Sequence, residues 1–427
     1  MNPCLQIGRF LLQFALAAVP MVGPSYAIPL QPLVDAAPPG STLVLAPGAY
    51  EGPVLIAKPL TLDGSERRAI VGGGGTGTIF TVRAPGVTLR NLTIENSGSS
   101  HDTVDAGILL ESSGNRITGN LIRDTLFGID LKESHGNRIE GNEIISKRDE
   151  LGLRGDSIRL WASHRNTILD NRIHDSRDLV VWYSNRNKIE RNRSWNNRYS
   201  VHFMYGEDNE VRDNDFRHNS VGVYLMYSKR TRLVGNRIFN SLGAGGVGLG
   251  LKDSDGITIE DNTVVYCAVG IHIDQSPIDD EAVNRFGNNE VAYNVVGILF
   301  HSDLVGNEFR GNRMSNNLHA VEVDGNGAAR GNLWEGNYWS EYEGFDRNRD
   351  NRGDSPFEYR TYMDQLWTTE PAVRFFYGSP VLSFLDYLAR LAPFSEPRLI
   401  LIDKAPLYGP PPPLASAFSR DSVVPAH

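Results

Sequence analysis

A right-handed parallel β-helix with a C-terminal cap or docking extension is the fold this sequence predicts, and three observations predict it. The phrase Asn-x-apolar-x-x-Asn recurs at Asn115–Asn120, Asn137–Asn142, Asn166–Asn171, Asn187–Asn192, Asn209–Asn214, Asn289–Asn294, Asn307–Asn312 and Asn332–Asn337. Degraded copies at Thr231–Asn236 and Ile257–Asn262 and a looser one at Asn91–Asn96 complete the series. About nine residues after a closing Asn comes a second apolar run of period two, such as Gly222-Val223-Tyr224-Leu225 or Gly270-Ile271-His272-Ile273. Finally, 43 Gly and 23 Pro in 427 residues describe a core interrupted by many turns. Short alternating runs between turn residues are strands. A unit of about 22 to 24 residues cannot bury its apolar face alone, so units stack into a solenoid, here of about eleven or twelve coils. Asn suits its corners because it tolerates left-handed backbone and can pair with the Asn of the next coil.

Along the chain, Phe10 to Val19 behind Arg9, ending near Ser25-Tyr26-Ala27, reads as a cleaved export signal over 1–27, too short to span a bilayer. The mature chain is expected to start at Ile28. Residues 28–337 are the β-helix, with Gly40–Ala49 and Val54–Leu62 as strands of a first capping coil. Residues 338–408 form the extension, which covers the last coil, docks on a partner, or does both. Within it, Val373–Leu391 is either an amphipathic helix or an extended cover. The Pro-rich run from Gly409 opens a tail, 409–427, expected to be disordered. Loss of 1–27 removes one Arg and no acid and takes the formal charge from -9 to -10, which disfavours a nucleic-acid partner. It also leaves Cys267 as the one thiol, so no intramolecular disulfide is possible. The chain has no Walker A phrase.

With apolar positions turned inward, the outward positions of the second run stack in columns. One column reads Lys132, Trp161, Tyr183, Met204, Met226, Lys252, Asp274, His301; its neighbour holds Asp130, His202, Tyr224 and His272. Two of the six Met thereby stand side by side, next to His202 and among Tyr183, Tyr205 and Tyr227. Thioether with imidazole suits Cu(I), making Met204, Met226 and His202 candidate copper ligands, with His272 and His301 as further ones. A hydrophobic patch for a protein partner and a core-facing Met pair are the alternatives. Asp346, Asn348, Asp350 and Asp354 alternate as in a calcium loop. Asn351 and Phe357, however, replace the Gly and Glu of an EF-hand, and a self-paired charged loop is the alternative. A polysaccharide-binding or uronate-acting enzyme would need paired carboxylates. Asp130, His272 and Asp274, with Asp279-Asp280-Glu281 beside them, could line its groove, although no Asn-Thr-Asp, Arg-Ile-Lys or Asp-Pro-His-Asp motif is present.

The Asn coils, the Asn337-Tyr338-Trp339-Ser340 exit, the Asp-rich stretch through Gly353-Asp354-Ser355-Pro356 and the closing Leu401-Ile402-Asp403-Lys404-Ala405-Pro406 together resemble the NosD family over essentially the whole mature chain. The resemblance implies a periplasmic, non-enzymatic component of nitrous oxide reductase maturation. It implies as partners an ABC transporter permease with its ATPase, a copper chaperone lipoprotein, and nitrous oxide reductase itself, with the segment Val373–Ala405 docking on the permease. With Cys267 as the single thiol, copper handling by Met and His would be transient.

Overall fold

The computed structural model describes residues 27–361 apart from Ala244 and Asn326, then Phe376, 379–391 and 397–412. The export segment up to residue 26 and most of the 409–427 tail lie outside the described residues. The chain is a parallel β-helix of about thirteen coils, with sheets of 14, 12 and 13 strands in which each strand pairs with its counterpart one coil on. The extra coils come from residues 42–95, and the looser copy read at Asn91–Asn96 is out of frame: Val87 and Leu92 hold the two ladder positions, donating to Asn115 and Asn120, while Asn91 is a left-handed corner residue.

The apolar position of that phrase is the spine of the core. Ile117, Ile139, Ile168, Ile189, Val211, Leu233, Ile259, Phe286, Phe309 and Trp334 pair in register along the 13-stranded sheet, and all are buried. Each such side chain contributes roughly 1.5–3 kcal/mol on burial. Towards the C-terminal end the spine becomes aromatic, and Phe286, Phe309 and Trp334 stack ring on ring at 4.5 and 4.0 Å.

The closing Asn residues form one uninterrupted buried ladder. Asn120, Asn142, Asn171, Asn192, Asn214, Asn236, Asn262, Asn289, Asn312 and Asn337 each accept, through Oδ1, the backbone N–H of the preceding rung. Two details differ from the sequence reading. The left-handed residue is the one before each closing Asn, for example Gly119, Asp170, Arg191, Asp213 and Asn288, so Asn is selected for its amide rather than its backbone. Asn289 closes a phrase opened by Asn284, whose Oδ1 accepts from Ile257 N. The copy read as Asn289–Asn294 is therefore out of frame, because Asn294 belongs to a third ladder with Asn317.

Both ends of the solenoid are closed by side chains that imitate a missing rung. At the N-terminal end, Gln31, in the helix Gln31–Ala36, accepts from Leu55 N (2.7 Å) and donates to Leu55 O (3.2 Å), as an adjoining strand would. At the other end a two-stranded antiparallel hairpin, Phe357–Thr361 with Arg398–Asp403, lies against the last coil. Asp403, fully buried, takes the place of an eleventh ladder residue. Its carboxylate accepts from Gly336 N, Asn337 N, Asn337 Nδ2 and Trp339 Nε1 at 2.9–3.1 Å. The cap is thus this hairpin. Pro380–Leu391 is helical, with Val381, Phe384, Tyr387 and Leu391 exposed instead of covering the coil.

Candidate functional site

The outward face of the 12-stranded sheet gathers most of the chemistry. Its outer column runs Lys132, Trp161, Trp182, Met204, Met226, Lys252, Asp274, and His301 continues it after the strand Val296–Phe300. Trp182, not Tyr183, is the residue in this column. A slip of one position turns a side chain to a different face, and Tyr183 begins the corner with φ 50°. There it stacks on Tyr205 (5.0 Å), which stacks on Tyr227 (4.7 Å), all three exposed. Trp161 meets both Trp182 and Tyr183 edge-on. Met204 and Met226 are in-register neighbours, half-buried and outward-facing, so the core-facing alternative is excluded. Together these residues make a continuous ridge of Met and aromatic side chains.

The neighbouring column is Asp130, Arg159, Val180, His202, Tyr224, Gly250, His272. His202 is 8% exposed beneath Tyr199, whose ring stacks on it at 4.7 Å, and neither imidazole nitrogen has a hydrogen-bond partner. As it stands, His202 is therefore shielded from the Met pair's surface. Burial pushes the Asp178 carboxyl up, but His202 and Arg198 beside it outweigh that push and hold it below the ordinary value. Asp130 and Asp156 differ: burial raises both to about 6 against the pull of Arg159 and Arg177. A carboxyl raised in the fold stabilises it below the unfolded value of 3.8 and loses that contribution as pH climbs through 6. Unfolding at pH 5 and 7 should accordingly show Asp130→Asn gaining on the wild type as pH rises. A constant difference between the two pH values would contradict the shift.

Farther along, Tyr224 reaches across two coils to share a 3.0 Å hydrogen bond with His272 Nδ1. The reach depends on Gly250, the residue between them, because a Cβ there would stand 2.2 Å from the Tyr224 ring. Burial holds His272 below its ordinary value. In the outer column Lys252 Nζ lies 3.1 Å from Asp274 Oδ2, and His301 Nδ1 lies 3.7 Å from Asp324 Oδ2. Among the described residues no three His, Cys, Asp or Glu side chains converge ready to hold a metal. The structure brings Met204 and Met226 together but separates them from His272 by Lys252 and Gly250. The two-coil reach of Tyr224 was not legible in sequence, because the Gly250 gap gains meaning only once the register is known.

The other expectations are placed as follows. Asp130 lies six coils from His272, about 29 Å at 4.8 Å per coil. That is well beyond the roughly 5–9.5 Å between the carboxyls of a glycosidase, so Asp130, His272 and Asp274 do not form one groove. The 279–281 acids sit in a corner loop tied to Asp255, which accepts from Ile278 N and Asp279 N. In the 346–354 loop Asp346 accepts from Asp350 N and Asn351 N, Asp350 from Arg352 N, and Asp354 from Arg347 N. Backbone donors hold that loop closed. Cys267 is a free, buried thiol.

Two of the most similar curated relatives are each named "Probable ABC transporter binding protein NosD". One, from Pseudomonas aeruginosa, is 32% identical over 389 residues, covering 82% of this chain and 84% of its own. The other, from Stutzerimonas stutzeri, is 28% identical over 393 residues, covering 82% and 83%. The family model described as "Periplasmic copper-binding protein (NosD)" matches residues 70–154 and 144–344. The chain belongs to the NosD family. Its NosD match takes in Met204, Met226, His202, His272 and His301 and ends before the 346–354 loop. Among solved structures, the A-module of the mannuronan C-5 epimerase AlgE4 from Azotobacter vinelandii matches 67% of this chain and 90% of its own at TM-score 0.48 and 12% identity. That likeness says nothing about the chemistry of this chain. No helix among the described residues is long and apolar enough to cross a membrane.

Proposed function

We propose that this chain is a periplasmic copper-handling scaffold that works beside an ABC transporter in the maturation of nitrous oxide reductase, receiving copper from a chaperone lipoprotein. The observation that carries this reading is the in-register, outward-facing pair Met204 and Met226 in a family described as copper-binding. Neighbouring strands lie about 4.8 Å apart, a spacing at which two thioethers can reach one soft ion. The Trp and Tyr ridge around them supplies the rigid apolar contact that a docking partner needs. The exposed apolar face of Pro380–Leu391, inside the segment Val373–Ala405, is the part read as docking on the permease. Nothing in this role requires the chain to catalyse a reaction. Anaerobic Cu(I) titration against a competing chelator tests the reading. Wild type is expected to take up one Cu(I) and Met204→Leu/Met226→Leu to lose it, with an unchanged melting temperature because Leu preserves volume. Equal affinity in both proteins would remove the Met pair from copper handling.

A further inference from the structure

We infer that His135 and His164 form an acid-released catch in one corner of the solenoid: protonating either imidazole unpins the next coil, so the corner is closed at neutral pH and loosened in acid. The inference stands on corner hydrogen bonds and does not depend on how the chain handles copper. Between the 12-stranded and 13-stranded sheets, one corner position makes a ladder of its own. Ser113 Oγ accepts from His135 N (3.0 Å), His135 Nδ1 from His164 N (3.1 Å), His164 Nδ1 from Asn185 N (3.0 Å) and Asn185 Oδ1 from Glu207 N (2.9 Å). The Ser113 hydroxyl and the Asn185 amide can accept at any ordinary pH. The two rungs between them accept through an imidazole nitrogen, which must then carry no proton. Each ring is therefore neutral, with its hydrogen on Nε2.

A cationic imidazole has an N–H at both nitrogens, so no rotation of the ring restores an acceptor. Protonated His135 would turn a hydrogen towards His164 N, and protonated His164 one towards Asn185 N. The two rings also stack at 5.0 Å and 10°, so a second positive charge would face the first. Both residues are half-buried, which leaves them within reach of a proton. Of the acids around the corner, Glu111 is engaged by Arg83 at 2.8 Å, and Glu207 and Asp208 by Arg230 at 2.6 and 2.8 Å; Glu133 is exposed at the start of the His135 turn. The cations are Lys132, Arg165 and Arg186. Burial, followed by the charges of His135, Arg165 and Arg186, holds His164 below its ordinary value. A histidine lowered in the fold stabilises it above the unfolded value of 6.5 and loses that contribution as pH falls below it. The catch lies at one end of the aromatic ridge. Trp161 stands three residues before His164 and Tyr183 two before Asn185, and their edge-on contact at 5.3 Å joins the two coils that His164 pins. Release of the corner therefore loosens that end of the ridge.

The test is hydrogen exchange of the full chain at pH 7.5 and 5.0, corrected for the intrinsic pH dependence of exchange and read on peptides covering 162–167, 183–188 and 205–210. In wild type, protection at the first two corners is expected to fall roughly three- to tenfold at pH 5.0, the equilibrium weight of one hydrogen bond. The third corner, pinned by the Asn185 amide, should keep its protection. His135→Asn/His164→Asn gives each rung the amide that Asn185 already uses one coil on, and should hold all three corners equally at both pH values. The single variants divide the effect: His135→Asn should keep 162–167 closed in acid and leave 183–188 sensitive, and His164→Asn the reverse. Wild-type protection that does not change with pH, an equal fall at 205–210, or a fall that persists in the double variant overturns the catch. Where a variant does not fold, the wild-type comparison of the three corners decides by itself.

Discussion

Replacing Asn214 by Ala is expected to cost about 3–5 kcal/mol of stability, more than any surface substitution in this chain. Asn214 is fully buried. Its Oδ1 accepts from both Asn192 N and Asn192 Nδ2, and its Nδ2 donates to Ile189 O and to Asn236 Oδ1. Ala leaves the buried Asn192 N without its acceptor, removes one of the two bonds of Asn192 Nδ2, which keeps Ile168 O, and takes a donor from Ile189 O and Asn236 Oδ1, and each buried orphan costs about 1–3 kcal/mol. The loss should propagate, because solenoid stability is a sum of nearest-neighbour terms. Urea unfolding should show a lowered midpoint, and hydrogen exchange should show lost protection in Arg193–Trp195 and Arg237–Phe239, the strands after the two rungs it joins. A destabilisation below 1 kcal/mol would mean that backbone pairing alone holds the coils in register.

Asp403→Ala is expected to release the C-terminal cap, at a local cost of about 3–5 kcal/mol. Five donors converge on this carboxylate, the backbone N–H groups of Gly336, Asn337 and Ala405, the Asn337 amide and the Trp339 indole, and Asn337 and Trp339 are buried away from water. Exchange protection should fall in Arg398–Asp403 and Phe357–Thr361 while the middle coils stay protected. Asp403→Asn, which keeps one acceptor oxygen, should retain part of the protection. Uniform loss of protection along the whole solenoid would show instead that the cap and coils unfold as a single unit.

Much of the architecture could be read from residues alone because the fold repeats one local rule. Ile117, Ile139, Ile168 and Ile189 occupy one position of one phrase, and the structure sets them in one column. Where two rules overlap, the reading slipped. Asn289 ends one phrase and precedes another Asn five residues on, so the pattern fitted two frames. Tyr183 and Trp182 are both aromatic neighbours of a corner, and only φ 50° at Tyr183 decides which of them faces outward in the strand. Ligand columns depend on register, so the Met pair, two residues of one kind at one repeat position, could be found from spacing. Contacts that skip a coil could not, and Tyr224 with His272 is such a contact; nor could the burial of His202 by Tyr199, three residues earlier on its own strand, be read from the alternation. The cap was anticipated, but its form was not. Asp403 acts in the Asn ladder from 66 residues away in sequence, beyond the reach of any periodicity.

The ladder that ends on Asp403 also makes the molecule a ruler. Met226, Lys252, Asp274 and His301 sit on successive coils, and one more coil, carrying Asp324, separates them from the capping hairpin. At a fixed pitch of about 4.8 Å, Met226 stands four pitches, about 19 Å, from the Asp324 coil, along a direction the stacked amides keep stiff. Insertion or deletion of one complete coil between Met226 and the cap would shift this distance by a single pitch without turning the site to another face. Reach and facing are therefore inherited separately: the coil count sets the first and the phrase sets the second.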